Sequence, residues 1–85
     1  MAKLDAIVKA PEGLHARPAA MFARACNQSG REVLVSKDGG EPVNGASTLQ
    51  LMTLSALQGD VVTLHCEGEG AEELLESLKA QLESE

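Results

Sequence analysis

The residues most able to do chemistry lie in one short stretch, Gly13-Leu14-His15-Ala16-Arg17-Pro18-Ala19. A histidine stands on a glycine turn directly before a helix pattern, and an arginine follows two residues later. A neutral imidazole is a nucleophile through whichever ring nitrogen is free. The first N–H groups of a helix have no intrahelical acceptor, so those of Ala16 and Arg17 can face an anion held beside His15. The positive end of the helix dipole favours a phosphoryl group attached there. The Arg17 guanidinium adds a charge-assisted, bidentate-capable contact to the same oxygens. Together these residues describe a phosphoryl acceptor, with Ala16 and Arg17 binding the phosphate. Glu12 is the discordant neighbour, because its carboxylate would repel that phosphate. The plain alternative is a histidine capping a helix beside a solvated surface arginine. The glycine turn and Pro18, which is tolerated in a first helical turn, favour the built site.

The rest of the chain has few other reactive groups. The sequence has 85 residues with 7 Lys and Arg against 13 Asp and Glu, a net charge of −6. At a pI of about 4.8 it lacks the basic face that nucleic acid requires. Phe22 is its sole aromatic residue, which excludes a base-stacking platform. No apolar run is long enough to span a bilayer, and the N-terminus lacks a signal segment, so a cytoplasmic protein is expected. Cys26 and Cys66 form no C-x-x-C pair, and with His15 and His65 they do not make a metal site. They read as small buried hydrophobes, and neither metal nor cofactor is expected. At this length the chain is expected to form one domain over residues 1–85.

The elements that position His15 follow from periodicity. Residues 3–9 alternate with Leu4, Ala6 and Val8 on one face, as a strand. Ala19, Phe22, Ala23 and Cys26 form the stripe of a helix over 16–27, stopped by Gly30. Val33 and Val35 alternate with Glu32, Leu34 and Ser36. Asp38-Gly39-Gly40 turns that strand into a short one around 41–43. Ser47 is a helix N-cap candidate, with Leu51 and Leu54 inward behind it. Val62, Leu64 and Cys66 mark a strand over 61–67. Ala71, Leu74, Leu75, Leu78 and Leu82 mark a last helix, with Glu72 and Glu73 in its first turn. The order β-α-β-β-α-β-α predicts an α+β fold: a four-stranded, largely antiparallel sheet with three helices on one face. Asp5, Lys9, Glu32, Thr63 and His65 are expected on the wet face.

With that motif and that order, the sequence resembles the HPr family, the histidine phosphocarriers of the bacterial phosphoenolpyruvate-dependent sugar phosphotransferase system. Residues 13–19 are similar to its active-site signature. Ala10-Pro11, Phe22, Val43-Asn44, Ser47, Leu54 and Gln58-Gly59-Asp60 are similar to further family positions. The resemblance implies an open-faced β-sandwich and a monomer. It implies that His15 takes a phosphoryl group on Nδ1 from enzyme I and passes it to the A components of sugar-specific enzymes II. It further implies that Arg17 steadies the phosphate. Arg17 and Arg24, with Thr48, Leu49 and Met52 on the second helix, would then form the docking patch. Ser47 matches a regulatory serine modified in many members by an HPr kinase. Ala46, Thr48, Ser55 and a preceding loop one residue longer depart from the family pattern and bear on regulation and partner choice. Two other classes remain at this point: a regulatory binding module with the same fold, and a small hydrolase. The hydrolase has no second catalytic group beyond His15 and Arg17 to position a water.

Overall fold

A computed structural model describes residues 2–11 and 13–83. In chain order the elements are β1 (Ala2–Ile7), α1 (Ala16–Ser29), β2 (Val33–Lys37), β3 (Val43–Asn44), α2 (Thr48–Met52), β4 (Val61–Cys66) and α3 (Ala71–Glu83). The four strands form one antiparallel sheet in the order β1-β4-β2-β3. Its registers place Leu4 beside Leu64 and Leu64 beside Val35, so the apolar sets of three strands share a face. Ala19, Phe22, Ala23 and Cys26 of α1, Leu51 of α2, and Ala71, Leu75, Leu78 and Leu82 of α3 join that face in the buried core. The other face is open, with Asp5 and Glu32 exposed and Thr63 and His65 half-buried. Asp5 Oδ1 accepts the Thr63 hydroxyl there at 2.9 Å.

Element ends differ from the periodic reading for local reasons. β1 stops at Ile7 rather than residue 9, because Val8 is bonded into the turn before β4. The Val8 N–H donates to the Asp60 carbonyl (2.9 Å), and its own carbonyl accepts the Gly59 N–H (2.7 Å). β3 begins at Val43, not 41, since Pro42 has no N–H to give a ladder. α1 runs two residues beyond 27, to Ser29, and closes on Gly30 in the left-handed region at φ 71°. α2 ends at Met52, short of Leu54. Its last turn tightens into three-residue steps, with Thr53, Leu54 and Ser55 N–H groups donating to the Gln50, Leu51 and Met52 carbonyls. Leu54 and Leu74 are half-buried against the core rather than inside it. Ser36, which alternates with Val33 and Val35 in the sequence, is buried as well.

Two local arrangements lead to tests. Burial, with the neighbouring Cys66 thiol adding to it, pushes the Cys26 thiol up to about 12. Both cysteines are free and buried. A thiol so rarely ionised is a poor nucleophile, so native protein should react with a maleimide far more slowly than protein in denaturant.

Asp60 holds the other arrangement. The Leu57 N–H donates to its carboxylate (2.9 Å) and Lys37 Nζ lies 3.4 Å away, and both lower its proton affinity in that order. The folded state therefore prefers the charged form. Its contribution is complete above the ordinary carboxylate range near about pH 4, and it is lost as pH falls through the lower folded value. Asp60→Asn should flatten the wild-type loss of stability in that acid window, as read by denaturant melts at successive pH values.

Candidate functional site

The site begins with Gly13. It is buried, with φ 77°, a conformation that L side chains rarely adopt. A Cβ at this position would press on the Ala56 carbonyl oxygen and lie 2.9 Å from Leu57 Cα. The next residue uses the same carbonyl, the Leu14 N–H donating to Ala56 O at 2.9 Å. Leu14 is buried in the core and His15 is turned out to solvent. The His15 N–H donates to the Gly13 carbonyl at 2.9 Å, and the Ala19 N–H to the His15 carbonyl at 2.8 Å, the first bond of α1.

His15 occupies the N-cap position in extended backbone, and its ring makes no cap hydrogen bond. The cap role therefore leaves the imidazole free. The N–H groups of Ala16 and Arg17 have no acceptor among the described residues, and Pro18 has none to offer. Arg17 and Arg24 are exposed and have no ion pair among the described residues. Glu12, expected to oppose a phosphate, lies outside the described residues. No acidic residue occurs in α1 or α2. The arrangement can present a nucleophilic ring nitrogen beside free N–H donors and an exposed cation on an open surface. A cleft of about 130 Å³ beside Arg17, walled by Leu14, Met21 and Leu82, is too small to enclose a sizeable substrate. Among the described residues, no three of His, Cys, Asp and Glu gather as metal ligands would.

The other expected residues sit on α2 and its approach, and α2 packs against α1. Asn27 Nδ2 of α1 donates to the Ala46 carbonyl (3.1 Å), and Asn44 Oδ1 accepts the Ala46 N–H (2.9 Å). These bonds bring the chain to Ser47, whose hydroxyl accepts the Gln50 N–H at 3.3 Å as a true N-cap. Ser47 and Thr48 are half-buried. Leu49 is 75% exposed, whereas Met52 is half-buried against the core. Among the exposed apolar residues that the sequence reading did not single out are Met21 and Leu57. Met21 was recognisable, lying off the Ala19–Phe22–Ala23–Cys26 stripe and four residues after Arg17. Leu57 had no such signal, because loop periodicity does not encode exposure.

A family model described as "PTS HPr component phosphorylation site" matches residues 2–84. The chain belongs to the HPr family. It is similar to the phosphocarrier protein HPr of Streptomyces coelicolor, at 48% identity over 67 residues, 79% of this chain and 72% of that one. It is also similar to the HPr-like protein Crh of Bacillus subtilis, at 41% over 78 residues, 92% of this chain and 91% of Crh. The crystal structure of the phosphocarrier HPr from Bacillus anthracis superposes with a TM-score of 0.87 at 36% identity, covering 95% of each chain. The open-faced sandwich is thus the HPr fold. Membership makes the chain a phosphocarrier of the phosphotransferase system rather than a catalyst, which removes the hydrolase reading.

Within the HPr fold Gly13 is the critical spacer. Gly13→Ala should cost at least about 2 kcal/mol in denaturant melts, because the added methyl meets backbone rather than a movable side chain. It should also slow phosphoryl acceptance in whatever fraction stays folded.

Proposed function

We propose that residues 1–85 act as one cytoplasmic phosphocarrier domain, with His15 accepting a phosphoryl group from enzyme I and yielding it to the A components of sugar-specific enzymes II. The observation that carries this reading is the free, exposed imidazole at the start of α1, beside N–H groups that lack acceptors. A lone pair on the His15 ring attacks phosphorus as the bond from phosphorus to the donor histidine breaks. The donor keeps that electron pair, and no water enters. Such transfers pass through a loose transition state with charge on three equatorial oxygens. The N–H groups of Ala16 and Arg17 and the Arg17 guanidinium are the donors that meet those oxygens. Exposure suits a relay, since the same phosphate must face two different proteins in turn. Arg17, Arg24, Thr48, Leu49 and Met52 form the surface that docks them, with the carrier a monomer while it relays.

A regulatory module is the second reading, favoured by the similarity to Crh; in that reading Ser47 would be the site for an HPr kinase/phosphorylase. Ser47 has a structural duty as N-cap in either case. The two roles are compatible on one chain.

With enzyme I and phosphoenolpyruvate, wild-type protein should gain one acid-labile phosphoryl group by intact mass, and His15→Ala should gain none. Normal labelling of His15→Ala would overturn the assignment.

Arg17→Ala should slow acceptance on the order of 10²-fold and leave Tm within about 3 °C, because an exposed arginine contributes little to stability. Stopped-flow transfer rates and thermal melts separate the two effects.

Ser47→Asp places a negative charge in the docking surface and should slow transfer through His15. Ser47→Ala should transfer normally while losing about 1 kcal/mol of cap stabilisation.

A further inference from the structure

The sheet has a free edge that the phosphocarrier role does not use. β1 is an outer strand, and hydrogen bonds show which way its backbone faces. The Val8 N–H points inward to Asp60, while those of Ile7 and Lys9 point outward, to Glu83 Oε2 (3.0 Å) and the Leu82 carbonyl (3.2 Å). The alternation of a strand therefore turns the N–H and C=O groups of Lys3 and Asp5 outward too. The end of α3 covers the edge at Ile7 and Lys9. At Lys3 and Asp5 the N–H groups have no acceptor among the described residues.

We propose that this edge is a self-pairing surface whose partner is a second copy of this chain, joined two-fold and antiparallel with Leu4 opposite Leu4 of the copy. Only that register uses both free residues. It sets Lys3 opposite Asp5 of the copy, and Asp5 opposite its Lys3, as hydrogen-bonded pairs that exchange four backbone bonds. Each pair unites opposite charges on the open face, where both side chains are exposed. The neighbouring two-fold registers oppose lysine to lysine or aspartate to aspartate, and like charges directly opposite are disfavoured. Half-buried Leu4 borders a groove of about 220 Å³ along the edge, lined also by Ala2, Lys3 and Leu75, which the copy's Leu4 would enter. Glu72 and Glu76 line the same groove and oppose the approach of an identical copy. The contact is short, so the dimer is weak and dissociates on dilution. It leaves α2 free, because α2 packs on β3 at the opposite edge.

The test is sedimentation and amide NMR of the full chain up to about 1 mM, a range suited to so small a contact. Wild type should dimerise reversibly, with concentration-dependent shifts confined to β1 and slowed hydrogen exchange at the Lys3 and Asp5 amides. Lys3→Glu should weaken association about tenfold. The Lys3→Asp/Asp5→Lys double variant should recover it, with thermal melts showing that each monomer folds. A monomer at every concentration would overturn the proposal. So would shifts centred on α1 and α2, a dimer indifferent to Lys3→Glu, or one that forms only by β1 leaving its own β4.

Discussion

The site depends on one close approach, the backbone of Gly13 against the Ala56 carbonyl. That oxygen accepts the Leu14 N–H and lies where any Cβ at position 13 would sit. From this contact the chain has two residues to enter α1, one buried and one exposed. Leu14 fills the core, and His15 is left outside with its ring unused by the cap. The exposure of His15 is thus a consequence of packing behind it. A nucleophile on an open surface needs that support, since its own contacts cannot orient it.

The Ala56 carbonyl is itself held by a bonded loop. Lys37 Nζ reaches the Ser55 carbonyl at 3.1 Å and the Asp60 carboxylate at 3.4 Å, joining the end of β2 to both sides of it. Gln58 donates to the Lys9 carbonyl, and Gly59 and Asp60 exchange backbone bonds with Val8. Ser55 sits within this loop at φ 55°, a left-handed conformation unusual for a residue with a Cβ. The same fold packs α2, capped by Ser47, against α1, the helix that carries Arg17 and Arg24. In a chain of net charge −6, the pair contains two arginines and no acid. These two helices therefore carry positive charge in a protein whose net charge is negative, an uneven distribution of the kind that steers association.

Much of this was legible in the sequence because the elements are strongly periodic. The stripe of Ala19, Phe22, Ala23 and Cys26 and the alternation of Val62, Leu64 and Cys66 each allow one packing face, and both are buried as expected. Ser47 was legible as a cap because its type and its place before a helix agree. The local motif around His15 was readable for its chemistry, but the partner that makes it rigid was not. Ala56 lies 43 positions from Gly13, and an alanine carbonyl carries no signal of its own. Helix and strand ends were misplaced where backbone bonding decides: at Pro42, which cannot donate, and at Met52, where the helix tightens. Met52 illustrates the limit of stripe arguments on a helix of five residues, since it lies off the Leu51 face yet still packs on the core.

The central claim is that His15, and no other group, holds the transferred phosphoryl. A phosphorus–proton NMR correlation on protein phosphorylated by enzyme I and phosphoenolpyruvate tests it directly. The account predicts one phosphorus resonance coupled to the ring protons of His15, with the His65 ring unchanged. Coupling to His65, or a phosphorus bound through a serine oxygen such as that of Ser47, would contradict it.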